Sequence, residues 1–161
     1  MATSYESQLN NWVNKEKAGV NLLNSVGTLM YDKGIELILF RRQLLEIGVS
    51  ELMNYISYAN NVVGRENNVE TVNLLATEML NMNLAPSKID IGLLTAEYIE
   101  SRATDSNIFL SDKLSHIVSA DTSSKHAKDV ILYGFGRIGR LAARELIKQA
   151  GKGQQLRLRA I

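Results

Sequence analysis

The sequence predicts a mainly α protein, in which a helical module over residues 1–118 is joined by a linker, residues 119–128, to a β-α-β unit over residues 129–161. Three observations predict it. Apolar residues recur at three- and four-residue spacing through the first 118 positions, the period of amphipathic helices. Charge and glycine content then change together: residues 129–161 hold seven Lys/Arg and two Asp/Glu, net +5, against net −4 for residues 1–128, and five of the 11 glycines fall there. Between the two lies Ser119-Ala120-Asp121-Thr122-Ser123-Ser124-Lys125-His126-Ala127-Lys128, polar and without apolar period, as a linker should be.

In the module, Leu9, Trp12, Val13, Val20, Leu22, Leu23, Val26 and Met30 fit one or two amphipathic helices, with Trp12 as a core anchor. Leu37, Phe40, Leu44, Leu45 and Ile47 fit another, ending near Gly48. Ser50 can cap the run from Leu52 to Val63, which stops at Gly64, and Asn68 opens the run from Val72 to Met82. Ser87-Lys88-Ile89-Asp90 has the form of a capping box for a helix over 88–99, and Ser106 caps a last helix carrying Ile108, Phe109, Leu110, Leu114, Ile117 and Val118. About six helices with short turns and a single proline describe an all-α module.

Composition narrows the chemistry. A chain of 161 residues, 45% hydrophobic and 22% charged, is long enough to bury a core unaided. It contains no cysteine, which excludes a disulfide framework, a cysteine zinc site and a thiol nucleophile within these residues. Apolar runs such as residues 37–40 and 130–133 are far short of a membrane span, and the polar start carries no secretory pattern, so the expected location is cytoplasmic. His116 and His126 have no partner at metal-ligand spacing; His116, beside Ile117 and Val118, reads as a partly buried structural residue. Glu97 and Glu100, one turn apart, read as solvated surface carboxylates, and the module's acidic balance excludes a nucleic-acid face.

The chemistry lies further on. Asp129-Val130-Ile131-Leu132-Tyr133 is a β-prone run, followed at once by Gly134-Phe135-Gly136-Arg137-Ile138-Gly139-Arg140 and a helix through Ala150 with Gly151 as its stop. Leu156-Arg157-Leu158-Arg159-Ala160-Ile161 alternates as a second strand. The glycine spacing fits a dinucleotide fingerprint: Gly134 turns tightly out of the strand, Gly136 lets backbone approach a pyrophosphate, and Gly139 lets helix pack on strand. Bare amides of the first helical turn, with Arg137 and Arg140 nearby, would face the phosphate oxygens. The acidic residue expected about 20 positions after the glycines to hold a ribose is absent, since positions 157 and 159 are Arg.

The run from Tyr133 to Arg140 closely resembles the start of the nucleotide-binding domain of glyceraldehyde-3-phosphate dehydrogenase, with Tyr133 where the family has Asn. The resemblance extends to the long bacterial form of that enzyme, which has a helical extension ahead of the same strand. It implies a Rossmann-type domain in which Gly134, Phe135, Gly136, Arg137, Ile138 and Gly139 wrap the pyrophosphate of NAD, with NADP left open. It further implies an enzyme that oxidises and phosphorylates glyceraldehyde 3-phosphate and assembles as a homo-oligomer. The family's catalytic Cys and His belong to a later domain, so the chain reads as an amino-terminal piece, inactive alone, with weak or no NAD binding of its own. Two alternatives stay open: a non-catalytic helical interaction or assembly module, and an unrelated dinucleotide-binding reductase.

Overall fold

A computed structural model describes residues 2–118, 128–149 and 156–161. Helix α1 (Ala2–Lys33) is followed by strands β1 (Ile35–Leu39) and β2 (Arg42–Gln43), then α2 (Val49–Tyr58) and α3 (Val69–Asn81). Strand β3 (Ser87–Asp90) leads into α4 (Ile91–Ser101) and α5 (Ser106–Lys113). The carboxy-terminal part holds β4 (Lys128–Ile131), α6 (Arg137–Gln149) and β5 (Leu156–Ala160).

The protein is mainly helical, but the first 118 residues are not all α. A three-stranded sheet, order β2-β1-β3, runs through them, with β1 antiparallel to β2 and parallel to β3. The helix expected over residues 37–47 is therefore a hairpin. Its apolar residues do fit a helical period, yet Ile35, Leu37 and Leu39 are buried along a strand packed between helices and a neighbouring strand. A strand covered on both faces loses the alternation that would betray it. Phe40 and Arg41 form its two-residue turn with φ of +45° and +70°, the left-handed geometry that hairpin turns of this length require. That turn is held from outside: Asp90 Oδ1 accepts from the Phe40 and Leu93 amides, both at 3.1 Å, tying the hairpin to the start of α4.

Capping explains the other shifts. Asn68 caps α3 as expected, accepting from Thr71 N at 2.8 Å. Helix α2 begins after Gly48 without a side-chain cap, and Asp90 and Asp105, not Ser87 and Ser106, cap α4 and α5. Ser87 to Asp90 consequently forms β3, and α5 stops at Lys113. After α2 the chain widens into a π turn over Ala59–Val63 and ends at Gly64 as expected.

The core joins Leu22, Val26 and Leu29 of α1 to Leu37 and Leu39 of β1, Leu52 and Ile56 of α2, and Val72, Leu75 and Met79 of α3. Glu36 is buried within it and accepts from Lys88 Nζ at 2.9 Å, an ion pair whose carboxylate side is withdrawn from water. Lys33 Nζ donates to the carbonyls of Leu80 and Met82, closing the carboxy-terminal end of α3. Burial in α1 begins only at Gly19, so Leu9 and Trp12, expected in the core, are exposed, Trp12 by 59%; Val20, also expected there, lies on the outward side of the helix and is exposed too. Among the described residues, no helix is long and apolar enough to cross a membrane.

Candidate functional site

Strands β4 and β5 are parallel, with Asp129 opposite Arg157 and Val130 opposite Leu158, and α6 connects one to the next. Within this unit Ala143 of α6 is buried, and Val130, Leu132, Leu156, Leu158, Gly139, Ala142 and Leu146 are half-buried. Alternation places Asp129, Ile131, Arg157 and Arg159 on the opposite, open side. Of the linker expected over residues 119–128, residues 119–127 lie outside the described residues, as does Gly151, the expected helix stop, and Lys128 is the first residue of β4.

Of the six expected site residues, Gly134, Phe135 and Gly136 lie in the turn between β4 and α6, and Arg137, Ile138 and Gly139 form the first turn of α6. Gly134 has φ +100°, a conformation that L side chains rarely adopt. Gly139 sits so close to that turn that a Cβ would lie 2.2 Å from the Gly134 carbonyl oxygen and 3.1 Å from its carbon. Any larger residue at 139 would push the first turn of α6 off the strand end. Gly136 differs: a Cβ there would meet nothing within 4 Å. The space beside its backbone is open to a ligand.

At this end of α6 the Arg140 amide donates to the Gly136 carbonyl at 3.0 Å. Amides of residues 137–139 precede it, and a helix offers its first N–H groups no carbonyl of its own. They crown the positive end of the helix dipole, where an anion is stabilised. Tyr133, Phe135, Arg137 and Ile138 are all exposed around the opening. The cradle therefore fits a diphosphate: bare amides, open space at Gly136, and positive charge from Arg137 and Arg140. Residues 134–139 themselves carry no hydroxyl, thiol, imidazole, amine or carboxylate side chain to serve as nucleophile or general base.

A feature that sequence reasoning missed lies one strand face away. Arg157 Nε donates to Asp129 Oδ1 at 2.7 Å, and Arg159 Nε lies 3.3 Å from Oδ2. The Arg157 hydrogen bond holds the Asp129 carboxyl below its usual range; partial desolvation opposes it, and the charges of both arginines add to it. Both arginines are thus committed to the strand pair. The parallel register that puts 129 opposite 157 was the signal, available only once the two strands are aligned.

The other candidates separate. His116 is exposed, in the turn after α5, and is neither helical nor partly buried as expected; His126 lies outside the described residues. Glu97 pairs with Lys113 at 2.7 Å and Glu100 with Arg65 at 2.6 Å, so the two carboxylates face different cations and share no site.

No protein-family model matches the chain. A search of curated proteins finds similarity to a glyceraldehyde-3-phosphate dehydrogenase-like protein of Pseudomonas aeruginosa (strain UCBPP-PA14), 38% identical over 85 residues. The matched stretch is 52% of this chain and 18% of that protein. The chain thus has a partial relationship to dehydrogenase-like proteins of this kind and spans less than a fifth of the relative's length.

Proposed function

We propose that this chain is a segment of a glyceraldehyde-3-phosphate dehydrogenase-related enzyme whose turn from Gly134 to Gly139 binds the pyrophosphate of a nicotinamide dinucleotide, NAD or NADP. The observation that carries the reading is the turn itself. Left-handed Gly134, close-packed Gly139 and open Gly136 divide the three glycine roles between them as a dinucleotide cradle requires. Strand β4, α6 and β5 then serve as the first β-α-β unit of a Rossmann-type domain beginning near residue 128, with residues 1–118 as a helical extension. Similarity to the Pseudomonas protein supports the enzyme class, and the oxidation of glyceraldehyde 3-phosphate in the cytoplasm is the activity proposed for the whole protein.

This chain's own residues bind and orient. Amides at Phe135 to Gly139 receive the diphosphate, Arg137 and Arg140 add charge, and Phe135 and Ile138 wall the opening. When bound, the dinucleotide supplies a hydride acceptor. Catalytic groups for the aldehyde belong to other parts of the enzyme, and the isolated chain binds cofactor weakly, because two strands and one helix surround only part of a dinucleotide.

Amide shifts on titration with NAD test this. Binding in the millimolar range, with shifts centred on residues 134–139, is expected. Gly136→Val should weaken it by at least about tenfold, roughly 1.4 kcal/mol, while leaving the fold intact, because a Cβ at this position has nothing within 4 Å. Shifts centred elsewhere, or unchanged binding by the variant, would overturn the assignment.

A further inference from the structure

A groove of about 390 Å³ runs along the outer side of α1, lined by Trp12, Val13, Glu16, Lys17, Val20 and Asn21. Every lining residue comes from that one helix. Val13 and Leu22, like Val20 and Leu29, are nine residues apart, which at 3.6 residues per turn puts them on opposite sides. Leu22 and Leu29 are fully buried, so the groove faces directly away from the core, and Val20 is 49% exposed. Val13, Glu16, Lys17 and Val20 stand at i, i+3, i+4 and i+7, the four positions that frame a hole for a knob from another helix.

The charges on this face are self-complementary. In a two-fold antiparallel pairing about an axis between residues 16 and 17, position i meets position 33 − i of the other copy. Val13 then meets Val20, Val20 meets Val13, and Glu16 meets Lys17 twice over. Adjacent residues of opposite charge at the axis are what an isologous contact needs, since each supplies the other's counter-ion. A parallel pairing in register would instead set Glu16 against Glu16 and Lys17 against Lys17. Trp12, 59% exposed at one end, reaches Asn21 of the other copy, where its indole N–H finds an acceptor.

We propose that α1 is an antiparallel self-association surface, and that its occupant is a second copy of this chain, centred on Glu16 and Lys17. This stands independently of the dinucleotide reading. Sedimentation of the full chain over a concentration series tests the stoichiometry, and a charge swap tests the surface. The expected results are a reversible dimer, at least about tenfold weaker on Glu16→Lys or Lys17→Glu, and restored to within about threefold by E16K/K17E together. All four side chains involved lie outside the core, and unchanged far-ultraviolet circular dichroism checks that each variant folds. Orientation has its own readout. Because the chain has no cysteine, mixing Val13→Cys with Val20→Cys proteins should give the mixed disulfide in preference to either self-pair. A monomer at every concentration, a dimer indifferent to the single charge changes, a double variant that stays weak, or preferential self-pairing of either cysteine variant would overturn the proposal.

Discussion

Residues 2–118 and the described residues of the carboxy-terminal part, 128–149 and 156–161, are built from the same kinds of element and end in opposite states of burial. In the first region a continuous core links α1, β1, α2 and α3. Among the described residues of the second, Ala143 alone is buried, while Ile131, Tyr133, Phe135, Ile138, Leu141 and Ile147 are exposed. The second region nonetheless has paired strands, a well-formed helix and a tight turn. Local pattern and backbone hydrogen bonding suffice to shape a β-α-β unit; they do not suffice to cover it, because one helix shields one face of a parallel pair and leaves the other to water.

The contrast can be broken most sharply by removing a side chain from each region. Leu37→Ala, at a site 1% exposed, should cost about 2–5 kcal/mol in a denaturant titration, whereas Ile138→Ala, at a site 75% exposed, should stay within about 0.5 kcal/mol. Comparable losses at the two positions would mean that both regions share a core. A smaller loss, about 1–2 kcal/mol, is expected for Asp90→Ala, which strands the amides of Phe40 and Leu93; near-neutrality would show that the hairpin turn needs no external support.

The smallest effect is electrostatic and confined to the second region. Asp129 has a folded-state pKa below its unfolded value, so its pairing favours folding above about pH 4 and is lost as pH falls through the lowered folded value. A carboxyl titration followed by NMR should give Asp129 a depressed midpoint that rises in Arg157→Gln. A midpoint insensitive to that change would remove Arg157 as its cause.

Much of this arrangement was legible residue by residue. Gly64 and Asn68 mark helix ends because their effects are local: a left-handed stop and a side chain that reaches the amide three positions on. The glycine turn was legible for the same reason, and the structure puts Gly134 and Gly139 in the geometry expected of them. The hairpin was not, because β1 is buried without alternation and its turn uses Phe40 and Arg41 in place of Asn or Gly. Nor was Asp90 as a cap, since Ser87 offered an equally good local signal and only pairing of β3 with β1 decides between them. Whatever depended on which strand lies beside which, the Asp129 contact with Arg157 and Arg159 included, was invisible one residue at a time.

The parallel pairing of β1 with β3 joins segments far apart along the chain: Glu36 and Lys88, in contact across it, are 52 residues apart. Closing so wide a loop sacrifices chain entropy before any of the sheet's contacts can repay it. Assembly of the first region should thus be an all-or-none event gated by the meeting of its two halves, slower than the zipping of any single helix in it. A protease nick anywhere between those strands would turn that unimolecular encounter into a concentration-dependent one, and the severed halves would have to find each other by diffusion.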